Sequence, residues 1–180
     1  MTVVRGRRNP LYLGLPYRLK RARENLSFGS VAAAAGLSDG NTVFQLERKQ
    51  GHVPRLDTVE KVAYALGVAP AFLAYGIEAD ASQPTEGLRC EGVASRLRET
   101  RTARGLNMRA LARAAGLTHT AVRSTETGAS MPSIATVEAF AVALGVSPAW
   151  LAYGLGPMEL PSRRRKAAAA TPEPDHDLTA

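Results

Sequence analysis

The sequence predicts an all-α chain of two tandem five-helix units joined by a short linker, and three observations carry that expectation. The first is an internal repeat. Residues 54–76, PRLDTVEKVAYALGVAPAFLAYG, align without a gap on 132–154, PSIATVEAFAVALGVSPAWLAYG, at an offset of 78. Self-similarity over a fixed period sets the architecture before any single helix is argued. The second is a succession of short apolar faces at helical spacing, each bounded by a cap residue and a glycine or proline. The third is that no segment shows the strict alternation a half-buried strand needs.

The elements follow in order along the second copy. A first helix runs from about Leu88 to Arg104 and stops at Gly105, since glycine suits the residue that ends a helix. Asn107 caps a second helix, MRALARAA, which sets Leu111, Ala112 and Ala115 on one face. Gly116 follows where a left-handed turn is needed. Thr118 caps a third helix over about 119–126, from which Val122 points inward. Pro132 and Ser133 open a fourth helix through about Leu144, and Ser147 and Pro148 open a fifth that holds Trp150 and Leu151.

The first copy keeps the plan, with Ser27 capping VAAAA, Gly36 at the turn, Ser38 near the third helix and Pro70 opening the last. AAGL recurs at 34–37 and 114–117 with an offset of 80, and Glu47 answers Glu126 with an offset of 79. The first copy therefore holds one extra residue between Leu37 and Glu47 and another before Pro54. Phe72, Tyr75, Trp150 and Tyr153 fall on the last helices, where small domains need large apolar side chains to close their cores. The units are expected over 10–77 and 88–155. A basic arm precedes them at 1–9, a polar linker containing Pro84 joins them at 78–87, and a disordered tail with balanced charge follows at 156–180.

Charge narrows the function class. The chain carries a formal +7, and 19 of its 23 basic residues are arginine, which suits a polyanionic partner. The first 78 residues hold 11 basic and 6 acidic groups, so the excess is concentrated there. Cys90 stands alone and makes neither an intrachain disulfide nor a zinc site, which points to a reducing compartment. With no apolar run of membrane-spanning length and no signal-like start in MTVVRGRRNP, a cytoplasmic location is expected. His52, His119 and His176 lack metal-site spacing. No phosphate-cradling glycine loop, carboxylate pair or nucleophile with a base can be assembled, so neither an enzyme nor a cofactor is expected.

A helix, then AAGL followed by Ser or Thr, nine or ten residues to Glu, then P-x-x-x-T-V-E and ALGV, resembles the XRE or Cro/C1-type helix-turn-helix family of bacterial and phage regulators. The resemblance covers about three quarters of the chain. Small residues at Ala32 and Ala112 let two helices cross, Gly36 and Gly116 make the turn, and Val43 and Val122 lock the third helix. The resemblance implies lambda-repressor-like domains whose third helix enters the major groove of double-stranded DNA. It implies groove contacts from Thr118, His119, Thr120 and Ser124, with Arg123 beside them, and phosphate contacts from Asn107 and Arg109. In the first copy the corresponding residues are Ser38, Asn41, Thr42 and Gln45, followed by a basic loop with Arg48 and Lys49. The arm residues Arg5, Arg7 and Arg8 could enter an adjacent minor groove. The resemblance also implies ion pairs from the first helix to the end of the third, here Arg21 with Glu47 and Arg101 with Glu126.

The chain departs from the pattern at several positions. Phe28 and Met108 stand where the family often has glutamine, and Thr125 stands where an apolar core residue is usual. Asp39-Gly40 and an inserted residue open the first copy's third helix, and Phe44 aligns with Arg123. Two functions stay open on this reading. One is a sequence-specific transcriptional regulator that reads DNA through both motifs, alone or as a homodimer. The other is a protein-interaction module, such as an antitoxin, in which one or both units bind a protein partner.

Overall fold

The computed structural model describes residues 10–48, 52–79 and 87–159. The fold is all-α. The first half comprises α1 (Leu15–Arg23), α2 (Phe28–Ala34), α3 (Gly40–Arg48), α4 (Leu56–Ala65) and α5 (Pro70–Tyr75). The second comprises α6 (Val93–Ala103), α7 (Met108–Ala115), α8 (His119–Glu126), α9 (Ile134–Leu144) and α10 (Pro148–Tyr153). Short 3-10 turns, Leu11–Gly14 and Arg89–Gly92, introduce the two sets. The expected helix from about Leu88 therefore begins as a 3-10 turn, because its first amides are claimed by a carboxylate from the other half.

Local chemistry starts most helices. Ser27 accepts from the Ser30 amide at 3.0 Å, Asn107 from Ala110 at 2.8 Å, Thr118 from Ala121 at 3.1 Å and Ser133 from Thr136 at 3.2 Å. Gly116 ends α7 at φ +66°, a conformation that lets α8 turn sharply away. The turn between α1 and α2 is built differently. From Arg23 to Ser27 it is two residues shorter than from Arg101 to Asn107, and where the longer turn has Gly105 at φ +64° the shorter puts Glu24 at φ +50°. A non-glycine residue held there costs about 1–3 kcal/mol. Glu24→Gly is accordingly expected to stabilise the fold by about 1 kcal/mol after the added freedom of the unfolded chain is allowed for, read as a higher urea midpoint with an unchanged slope.

The two halves pack on each other through contacts that repeat reciprocally at the offset of 78. The amides of Leu11 and Tyr12 donate to Glu138 at 2.7 and 3.0 Å, and those of Arg89 and Cys90 donate to Glu60 at 2.7 and 2.9 Å. The Leu56 amide donates to the Pro132 carbonyl at 3.0 Å, and the Ile134 amide to the Pro54 carbonyl at the same distance, closing an antiparallel bridge at Arg55 and Ser133. Each of these backbone contacts of residue i with residue j is thus matched by its counterpart with the halves exchanged, which is the signature of a twofold relation. On this axis α5 meets α10, and the Tyr75 and Tyr153 rings lie 6.5 Å apart.

Burial explains why these contacts are made in pairs. Glu60 is fully buried and Glu138 is 5 % exposed. A carboxylate taken from water is tolerated only when donors replace the lost hydration, and each here receives two backbone amides. The apolar core runs without interruption from Leu15 and Leu19 through Leu56 and Tyr75 to Phe140 and Tyr153. Burial pushes both phenols well above their ordinary range, so they stay neutral, and the Tyr75 hydroxyl donates to the Ile134 carbonyl at 3.1 Å.

A second matched pair braces each half internally. Arg18 donates to the carbonyls of Leu73, Leu11 and Ala74, and Arg96 donates to those of Leu151, Arg89 and Ala152. Each guanidinium ties its first helix to the buried C-terminal turn of its last one. Burial lowers the pKa of both arginines below the usual value.

Candidate nucleic-acid interface

The segments α2–turn–α3 and α7–turn–α8 carry the residues expected to touch DNA. Helix periodicity divides α8 cleanly. Val122, Thr125 and Glu126 are buried, whereas His119, Thr120 and Arg123 are exposed, with Thr118 exposed at the cap. Ser124 is half-buried, and its hydroxyl donates to the Ala121 carbonyl at 3.3 Å. Asn107 and Arg109 are exposed at the start of α7. Asn107 spends its side-chain oxygen on the helix cap, which leaves its amide nitrogen facing solvent. Thr125, in place of an apolar core residue, donates its hydroxyl to the Ala121 carbonyl at 2.9 Å and so enters the core with its polar group satisfied.

Helix α3 has the same two-sided pattern, with Val43, Leu46 and Glu47 buried. Asn41 and Arg48 are exposed, Thr42 and Gln45 are half-buried, and Ser38 is exposed ahead of the helix. Asp39 has a role the sequence reading missed. Its Oδ1 accepts from the amides of Asn41 and Thr42 at 2.8 and 3.3 Å, so the acidic residue caps α3. Phe44 is 44 % exposed, and its ring meets that of Phe28 edge-on at 5.5 Å. The residue standing in place of the family's glutamine is therefore part of a small aromatic pair with the outer face of α3. Arg5, Arg7, Arg8 and Lys49 lie outside the described residues.

Each third helix is anchored by a buried ion pair. Arg101 donates through Nε and Nη2 to the two carboxylate oxygens of Glu126, at 2.6 and 2.9 Å, and this raises the arginine pKa. In the first half the partner of Glu47 is Arg23, at 2.9 Å, and not Arg21, which is exposed. The correction has a physical cause. Counting back five residues from the leucine selects Arg21, but the shorter turn returns α1 to the offset of 78, which pairs Arg23 with Arg101. Arg23 also donates to the Leu26 carbonyl and lies 4.3 Å above the Phe28 ring. Arg98, which the sequence places on a solvated helix face, donates to the Glu126 carbonyl at 2.6 Å and caps the end of α8.

The result in the second half is a polar helix face, Thr118, His119, Thr120 and Arg123, on a helix fixed from beneath. Arg109 and Arg113 are exposed on the neighbouring helix α7. Such a face carries hydrogen-bond donors and acceptors of the kinds that read base edges, with exposed guanidinium groups beside it. Among the described residues no cluster of His, Cys, Asp or Glu could hold a metal ion, and no helix is long and apolar enough to cross a membrane. No curated protein and no solved structure matches the chain. Residues 93–153, which span α6 to α10, match the family model for a helix-turn-helix domain.

Proposed function

We propose that the chain is a sequence-specific DNA-binding regulator of the XRE type, and that one polypeptide supplies two reading heads related as the halves of a symmetric dimer would be. The observation that carries this reading is the reciprocal interface. The same contacts at one offset relate α4 and the first 3-10 turn to α9 and the second 3-10 turn as two subunits would be related, with the Pro54 and Pro132 carbonyls accepting reciprocally beside the axis. Six residues lie between Arg48 and Arg55 and six between Glu126 and Ser133, at most about 25 Å of chain on each side. That span accommodates recognition helices in successive major-groove windows, about 34 Å apart on one face of a duplex. The heads carry different side chains, Asn41, Thr42 and Gln45 against Thr120, Arg123 and Ser124, so the two half-sites should differ in sequence.

The reading is tested by fluorescence anisotropy on a selected duplex. Thr120→Ala and Arg123→Ala are each expected to weaken binding by about 1–3 kcal/mol for a lost base contact. Affinity should fall steeply with salt, a log-log slope near −5 for about six phosphate contacts. Unchanged affinity in both variants together with a flat salt response would contradict it. A protein-binding role for the first half has one observation in its favour, the exposed Phe44 edge on Phe28. Under that reading Phe44→Ala abolishes partner capture and leaves DNA binding by the second half intact.

A further inference from the structure

Positions 64 and 142 are equivalent at the offset of 78, yet one is tyrosine and the other valine. Tyr64 reaches one turn back along α4 and donates its hydroxyl to Glu60 Oε1 at 2.9 Å. Glu60 thus receives three donors, this phenol and the amides of Arg89 and Cys90. Its counterpart Glu138 receives the two equivalent amides, those of Leu11 and Tyr12, and among the described residues no third donor reaches it. Beside Val142 opens a cleft of about 500 Å³ whose walls include Tyr12, Ala115, Glu138, Ala139 and Val142. Its size falls within the range of pockets that hold small molecules.

The internal symmetry therefore supplies a template for an occupant. In the first half a phenol on α4 extends to the buried carboxylate. In the second the same carboxylate is 5 % exposed, borders an open cleft, and keeps acceptor capacity beyond its two amides. We propose that this cleft is a binding site for a small phenol, whose ring lies against Tyr12, Ala139 and Val142 and whose hydroxyl donates to Glu138. The hydroxyl must be a donor, since a carboxylate offers only lone pairs. Occupancy links the first 3-10 turn to α7 and α9 across the interface, so the ligand should also tighten the association of the two halves. This inference stands independently of whether the chain binds DNA.

The test is a titration of the full-length protein with p-cresol, followed by calorimetry and by amide NMR shifts. Toluene and 4-methylanisole, which lack the donated proton, are run in parallel. Saturable p-cresol binding is expected, with shifts centred on Tyr12, Gly116 and Ala139, and with roughly tenfold or greater weakening for 4-methylanisole because the hydrogen bond to a charged acceptor is lost. Val142→Tyr should place the chain's own phenol in the cleft and abolish binding while the helical circular dichroism is kept. Absence of saturable shifts, equal binding of 4-methylanisole, or retained binding in folded Val142→Tyr would overturn the proposal. If that variant does not fold, the comparison among the three ligands decides alone.

Discussion

Replacing Arg101 with methionine is expected to destabilise the second half by about 3–5 kcal/mol, because the change leaves the Glu126 carboxylate buried without its guanidinium. Glu126 has no exposed side-chain surface, and both of its oxygens are held by that one arginine. Urea unfolding of the full-length protein followed by Trp150 fluorescence would report the loss. Arg101→Met combined with Glu126→Leu should recover most of it, since an apolar pair of similar volume removes the uncompensated charge. The same change at Arg23 is expected to cost less. Glu47 has Arg48 at 3.6 Å as a second cation, and Arg48 is exposed enough to move toward it. Equal losses at Arg23 and Arg101 would show that the pairs contribute through packing and not through charge.

Glu60→Leu is expected to cost about 2–6 kcal/mol, roughly 1–3 for each of the two backbone amides left without an acceptor. Its consequence reaches further than stability. Glu60 and Glu138 are the matched clamps across the twofold axis, so losing one should uncouple the halves. Calorimetry is the appropriate measurement. The parent protein is expected to melt in one transition with equal calorimetric and van't Hoff enthalpies, and the variant in two. One undivided transition in Glu60→Leu would mean that the apolar contact of α5 with α10 suffices for coupling.

Much of the helical plan was legible in the sequence because it rests on local chemistry. Asn107, Thr118 and Ser133 cap the helices they precede, and Gly116 sits at its turn with positive φ. Boundaries in the second copy were the clearest, since α7, α8 and α9 each begin at a side chain that caps the helix. The interface was less accessible. The repeated TVE at 58–60 and 136–138 displayed Glu60 and Glu138 plainly, but their partners are backbone amides of another segment, which carry no side-chain signature. Arg18 and Arg96 escaped for the same reason, as they bind carbonyl groups. Both stand before a leucine at the offset of 78, so extending the alignment through α1 and α6 would have exposed them, and Arg23 with them.

At the candidate interface, exposure follows helix periodicity, which made the α8 face readable in advance. What periodicity does not convey is how a polar side chain is already occupied. Asp39 was legible only as a departure from the pattern at the start of α3, and it is a helix cap. Phe44 was legible only as the counterpart of Arg123, and it pairs with Phe28 across the turn. In each case the deciding partner lies a few residues away or on the neighbouring helix, at a distance fixed only by the fold.

The central claim is that the two halves read DNA as one rigid unit. It is tested most directly by selecting bound duplexes from a random pool with the full-length protein at about 0.15 M salt, where nonspecific binding is suppressed. The account predicts a bipartite motif, two unlike half-sites at a single spacing near one helical turn, with one chain bound per duplex. A motif for one half alone, two halves at freely varying spacing, or no enriched sequence at all would contradict it.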